Sequence, residues 1–255
     1  YDEPSVFEPE ALLHEARRQK GLPEQPVPDV CVLDPDGDIV DHLIETGHTE
    51  RFEPWPGYHT ELYVFEHAGR EYGIVGRAVG APFAVLVAEQ LFASGCELLV
   101  SVTSAGRIAE RDNPPYFVLV ESALRDEGTS LHYASPSHYA EADARLIRSV
   151  EKACRDALPT VYTGATWTTD APFRETETAI ERAHAEGILA VEMEASALYS
   201  FASVRGEDVI CFAHVTNEMG RADEDFEKGE ELGTVAALDV ITAAVEGWSD
   251  KEPDG

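Results

Sequence analysis

The sequence predicts an α/β fold, a sheet covered by helices, organised as one domain over residues 1–255. Two observations carry that expectation. Apolar, β-branched runs alternate with amphipathic stretches along the chain. No internal repeat, low-complexity linker or break in composition interrupts the alternation. At 255 residues and 44% hydrophobic content the chain can bury a sizeable core.

Taken in order, Asp29–Leu33 reads as a first strand, ended by the turn-rich Asp34-Pro-Asp-Gly-Asp38. Glu61–Phe65 and Tyr72–Val75 form a predicted hairpin around Ala68-Gly69. Pro82–Ala93 has helical spacing with Pro in its first turn, and Gly95 is the expected C-cap. Glu97–Val102 is a buried strand, and a polar stretch from Glu110 to Pro115 leads into the strand Tyr116–Val120. A long helix is expected over Ala140–Ala157, then a strand at Val161–Thr166. The last third alternates helix Glu175–Glu186, strand Ile188–Met193, helix Glu194–Arg205, strand Asp208–Val215 and helix Gly233–Gly247.

The formal charge of −30 sets the habitat. At that density self-repulsion opposes a compact fold in dilute buffer, whereas at 1 M salt the screening length falls to about 3 Å. Lysine is scarce, with only Lys20, Lys152, Lys228 and Lys251 among the 19 basic residues. Dispersed carboxylates and few lysines suggest a salt-rich cytoplasm. The same balance argues against nucleic acid, whose phosphates call for basic patches. No apolar run approaches the roughly 20 residues of a membrane span, and the acidic start Tyr1–Pro9 lacks a signal-peptide core. A cytoplasmic location is therefore expected. Cys31, Cys96, Cys154 and Cys211 are widely spaced, without a zinc or disulfide pattern, and are expected to be core filler.

Loops at the carboxyl ends of strands are the usual ligand positions in such sheets. Three strand-to-helix junctions stand out. Gly76-Arg-Ala-Val-Gly-Ala-Pro82 has small residues that let backbone approach a ligand or a neighbouring strand. Ser101-Val-Thr-Ser-Ala-Gly106 gathers hydroxyls able to donate to an anion. Val191-Glu-Met-Glu194 puts two carboxylates at the end of an apolar strand. Singly, each also has a structural explanation: a tight turn, a polar strand end, and acids placed for a helix dipole.

Together and in this order they resemble the nucleoside phosphorylase superfamily, of the uridine phosphorylase and hexameric purine nucleoside phosphorylase type. Val191–Tyr199 is similar to its signature segment, Gly76–Pro82 to its glycine turn and Leu98–Gly106 to its phosphate-side strand and loop. Thr168–Phe173 is similar to its base-contacting segment, and Val215-Thr-Asn217 to its late strand end. The likeness implies a three-layer α/β/α domain with a mixed, partly barrel-like central sheet. It also implies cleavage of the N-glycosidic bond of a nucleoside by phosphate, a uridine-like base being favoured, with release of base and ribose 1-phosphate.

By resemblance, Glu194 binds the ribose hydroxyls and stabilises the oxocarbenium-like sugar, with Met193 packed on the ribose and Glu192 beside them. Phe173, or Pro172 next to it, falls where the family stacks an aromatic on the base, and Arg174 could bond base carbonyls. Asn217 stands where purine-specific members carry an acid. An amide cannot give up an acidic proton, so it can only orient or stabilise the leaving base. His14 matches a histidine that reaches a neighbouring subunit's ribose. The resemblance further implies a homohexamer or other homo-oligomer with shared sites, nucleoside and phosphate as partners, and no cofactor or metal.

The phosphate site departs from the family pattern. Its Gly-Asp-x-x-Arg turn appears here as Asp34–Ile39 without arginine, and the arginine that opens its phosphate-side strand end is Ser101. Ser104 keeps the hydroxyl, while Arg77 and Arg107 lie beside the loops and could supply charge from new positions. Three activities stay open: a phosphorylase with a relocated phosphate site, a nucleosidase in which water replaces phosphate, or a non-catalytic nucleoside-binding member.

Overall fold

A computed structural model describes residues 3–155, 159–218 and 230–251. In chain order its elements are α1 (Pro9–Lys20), β1 (Val30–Asp34), α2 (Asp38–Glu45), β2 (Thr49–Arg51), β3 (Tyr63–His67) and β4 (Arg70–Gly76). There follow α3 (Ala81–Phe92), β5 (Leu98–Arg107), β6 (Tyr116–Asp126), α4 (Ser130–Tyr133), β7 (Tyr139–Glu141) and α5 (Ala144–Cys154). The last are β8 (Val161–Thr169), α6 (Glu177–Ala185), β9 (Ala190–Glu192), α7 (Ala195–Arg205), β10 (Asp208–Glu218) and α8 (Thr234–Ser249).

The strands form one 10-stranded mixed sheet. β10, β6, β8, β9 and β5 pair in succession, and β5 pairs back to β10, which closes a barrel. From β5 the sheet continues outward through β1, β4, β3 and β2, so the expected partly barrel-like sheet is what forms.

Strand alternation then divides the core between two helical layers. On β5, Leu98, Val100 and Val102 point to the side packed by α2, α5 and α8. Leu99 and Ala105 point to the opposite side, packed by α3 and α7. β10 repeats this with Ile210 and Phe212 on one face and Cys211, Ala213 and Val215 on the other. All four cysteines are free and buried, as their apolar surroundings suggest. Among the described residues no helix is long and apolar enough to cross a membrane.

Several boundaries differ from those expected. The Ser101–Gly106 junction is not a loop: β5 runs on to Arg107 because β10 pairs with it in parallel over that whole length. The helix expected from Ala140 begins at Ala144, since the Asp143 carboxylate accepts from the Arg145 and Leu146 N–H groups and so caps it. Residues Tyr139–Glu141 pair with β6 instead. Helix α3 ends on Ala93, and Gly95 lies beyond the cap at a φ of 106°. Helices α1, α2 and α4 and the edge strand β2 were not expected. α4 and β2 span four and three residues, α1 is strongly polar, and α2 is only eight residues long.

Helices α5 and α8 pack closely where Gly247 faces Val150. A Cβ on Gly247 would stand 2.6 Å from the Val150 Cα and 2.7 Å from its nitrogen. Alanine is favoured over glycine in a helix interior by up to ~1 kcal/mol, but overpacking against backbone costs ~1–3 kcal/mol. Gly247→Ala is therefore expected to destabilise the protein by about 1–2 kcal/mol, read from denaturant unfolding in molar KCl. A stabilised variant would show that the two helices can separate freely.

Candidate active site

The short strand β9 lies antiparallel to β5 and parallel to β8, with Thr168 opposite Glu192 in register. It stops where α7 begins. The first turn of a helix leaves its N–H groups without intrahelical partners. Glu192 meets that need: one carboxylate oxygen accepts from the Glu194 N–H at 2.6 Å and the Ala195 N–H at 2.7 Å. Its other oxygen accepts from the hydroxyls of Thr166 at 3.0 Å and Thr168 at 2.6 Å. Thr168 in turn accepts from the Ser196 N–H at 2.9 Å, and the Ser196 hydroxyl donates to Glu127 at 2.9 Å. Glu192 was expected at the ribose. It is instead buried and held by four donors, so it is a positioning group behind the site.

What it positions is Glu194, the residue that starts α7. One Glu194 oxygen accepts from the Gly80 N–H at 2.7 Å and the other from the Met193 N–H at 3.2 Å, while the Thr103 hydroxyl also bonds the carboxylate. The glycine turn contributes here through conformation: Gly80 has φ 90°, which turns its N–H toward Glu194 and which a side chain would resist. Burial pushes the Glu194 carboxyl up to about 8. The Glu192 and Asp36 charges add to the rise, against the pull of Gly80 and Thr103. Glu192 is also raised by burial, although its four donors oppose the shift.

The next residue of β5 faces a different carboxylate. The Ser104 N–H donates to Asp36 at 2.7 Å. Asp36 belongs to the turn after β1, where buried Asp34 accepts from the N–H groups of Gly37 at 3.1 Å and Val40 at 3.0 Å. Burial raises Asp34 to about 7, with the neighbouring Asp36 and Asp38 charges adding to it. Asp34, Asp36, Asp38, Thr103, Ser104 and His214 help to line a cavity of about 20 Å³, room for a water molecule.

The other expected residues lie as follows. Met193 is half-buried between the two glutamates. Ser104 is at the cavity, but its N–H is engaged by Asp36. Arg77, at φ 63°, pairs with Asp41 on α2 and is exposed. Arg107, at the end of β5, donates to the Asp112 carbonyl at 3.1 Å. Phe173 and Arg174 lie on a single turn of tight helix after β8, both exposed, and Phe173 wholly so. His14 is exposed on α1. Asn217 pairs through its backbone with Gly106, beyond a register shift after Val215, and its side chain lies outside the described residues. No individual role was expected for Gly80, Thr103 or Asp36, although Gly80 and Thr103 lie in two of the three junctions that stand out, and Asp36 lies in the turn where an arginine was sought. Among the described residues no group of three His, Cys, Asp or Glu side chains is arranged to hold a metal ion.

A barrel-closing sheet with a buried glutamate at the β9–α7 junction defines a class, and comparison with known proteins agrees. Residues 29–246 match the family model of the phosphorylase superfamily. The chain belongs to that superfamily, and the enzymes it resembles are nucleoside phosphorylases. It is 23% identical over 248 residues to a uridine phosphorylase of Thermococcus kodakarensis, covering 86% of this chain and 87% of that one. It is 25% identical over 168 residues to a guanosine phosphorylase of Halorubrum lacusprofundi, covering 64% and 70% respectively. Its fold superposes on the crystal structure of Vibrio fischeri uridine phosphorylase complexed with 6-hydroxy-1-naphthoic acid with a TM-score of 0.73 at 22% identity, covering 89% of this chain and 93% of that one.

The raised Glu194 carboxyl has a consequence for stability. Its folded-state value of about 8 lies above the ordinary 4.5, so the folded protein holds a proton there that the unfolded chain releases. This contribution is complete below about pH 4.5 and is lost as pH rises to about 8. Glu194→Gln removes the titration and keeps an acceptor for Gly80, although its NH2 cannot accept from the Met193 N–H as the carboxyl oxygen does. The variant is expected to be more stable than the parent at pH 8 by at least ~1 kcal/mol and to lose part of the pH slope. Equal slopes in the two proteins, from denaturant midpoints between pH 5 and 9, would count against the raised Glu194 carboxyl.

Proposed function

We propose that this protein cleaves the N-glycosidic bond of a nucleoside and releases the free base. The observation that carries the reading is Glu194: a buried carboxyl held by Gly80, Met193 and Thr103 at the β9–α7 junction, in a chain of the phosphorylase superfamily. A carboxylate accepts two hydrogen bonds, so a sugar's cis-diol can replace the N–H contacts that engage it. Diol donation favours the ionised form, and that charge then opposes the positive sugar as the bond breaks. Met193 offers a soft surface for the sugar ring. Phe173 and Arg174 are the proposed base contacts and Asn217 the proposed partner of the leaving base.

The sugar acceptor has two readings. Phosphate is the acceptor implied by the names of the relatives, with uridine the favoured substrate because a match over 248 residues is to a uridine phosphorylase. Ser104, Arg77 and Arg107 would then make the phosphate site. Hydrolysis is the second reading, and Asp36 on the Ser104 N–H favours it. A homo-oligomer with shared sites, a hexamer or another ring, and a cytoplasmic, salt-rich setting belong to the same proposal.

Base release from uridine, cytidine, inosine, guanosine and adenosine, measured in multi-molar KCl, tests the function. At least one nucleoside should be cleaved, and Glu194→Ala should lower that rate by ~10³-fold or more with an unchanged far-UV spectrum. A Glu194→Ala protein with near-normal turnover would remove the sugar site from Glu194. No cleavage of any of the five by folded protein would leave a binding protein as the better description.

A further inference from the structure

Helices α3 and α7 differ from the others in charge. α3 has a single charged side chain, Glu89, and α7 a single one, Arg205, whereas every other described helix of eight residues or more has at least two. Short α4 contributes His132 and no acid. The Glu89 and Arg205 charges face each other at 3.6 Å, and the Tyr133 hydroxyl of α4 donates to Glu89 at 2.7 Å. These helices pack side by side, with the Phe201 ring of α7 against both Phe92 of α3 and Tyr133 of α4. The layer is therefore close to neutral in a chain of formal charge −30. It is also apolar beyond its buried side. On α3, Ala84, Val85, Ala88 and Leu91 are buried, yet the opposite side presents Pro82, Phe83 and a Leu86 that is 42% exposed. Val79 before α3 and Leu131 on α4 are each 50% exposed. A helix apolar all round is ordinarily covered on every side, and exposed apolar surface of this kind marks a contact site.

We propose that the outer face of α3 and α4 docks a second copy of this chain about a two-fold axis. The inference deepens the homo-oligomer reading above by naming its surface, and it rests on that reading. Charge selects the occupant. Two copies at −30 repel wherever acids meet, and on this face that repulsion is least. A basic partner would gain nothing here and would be drawn to the acidic surface instead. A two-fold contact brings the same patch of each copy together, so apolar side chains meet apolar side chains with no countercharge needed. Salt favours the same outcome. At 1 M the screening length of about 3 Å removes the repulsion between more distant acids, while apolar burial persists. The face also adjoins the site: α3 starts right after Gly80, whose N–H holds Glu194, and α7 starts right after Glu194 itself. A copy closed over α3 therefore brings the two sites of a pair near their common interface.

Sedimentation of the full chain in multi-molar KCl, over a range of protein concentrations, tests the face. The parent is expected to be an even-numbered assembly, as a two-fold contact requires. Leu86→Glu and, separately, Leu131→Glu put a charge on the face at positions that are exposed and outside the core. Each should raise the dissociation constant by ~30-fold or more, seen as a fall in mass to half or less on dilution, with an unchanged far-UV spectrum. Val235→Glu, at a similarly exposed position on α8, should leave the mass at the parental value. A monomeric parent would overturn the inference and the oligomer reading together. An odd-numbered parent, or one whose mass neither Leu86→Glu nor Leu131→Glu changes, would overturn the face and leave the oligomer reading standing. A mass that falls only in Val235→Glu would do the same.

Discussion

The site depends on one buried carboxylate that does not face it. Glu192 joins the end of β8, through Thr166 and Thr168, to the first turn of α7, through the N–H groups of Glu194 and Ala195. A buried carboxylate is costly unless every lone pair finds a donor, and these four contacts supply that condition. The helix start is also where a negative charge is best placed, so the same group answers the unpaired N–H groups and the dipole. Ser196 extends the constraint to Glu127, whose carboxylate accepts from the Thr129 N–H at 2.6 Å and orders the start of α4. Glu194 is thus aimed by a network spanning β6, β8 and α7, and its own high carboxyl value is the cost of standing next to Glu192 in the interior. Such an arrangement trades stability for a preorganised charge.

Much of this was legible in the sequence, because the barrel strands are long apolar runs of period two. The two acids after Val191 were visible as a pair; both are buried, and their hydrogen-bond partners distinguish them: one holds the first turn of a helix and the other meets the Gly80 and Met193 N–H groups. Their division of labour was not legible, since it depends on which rotamer reaches Thr168 and which reaches Gly80. The hydroxyl-rich stretch Ser101–Gly106 looked like a loop because polar residues usually end strands. Here the closure of β5 on β10 keeps it paired, a tertiary constraint that local sequence does not encode. Arg77 and Arg107 were candidates by position; Arg77 pairs with the Asp41 carboxylate and Arg107 donates to the Asp112 carbonyl. Phe173 illustrates the opposite limit, since a side chain that is wholly exposed owes its conformation to nothing in the chain.

The charge of the chain bears on the site. Two unit charges about 4 Å apart interact by ~1 kcal/mol in water and ~4 kcal/mol at the effective dielectric of a protein surface. Asp34, Asp36 and Asp38 line one cavity together with His214, and the Ser104 N–H donates to Asp36. Molar salt weakens the field of Asp36, which is open to solvent, but screens buried groups much less. Asp34 and Glu194 are buried. Their raised carboxyl values are the fold's answer to the same repulsion, a proton retained where a second negative charge cannot be held.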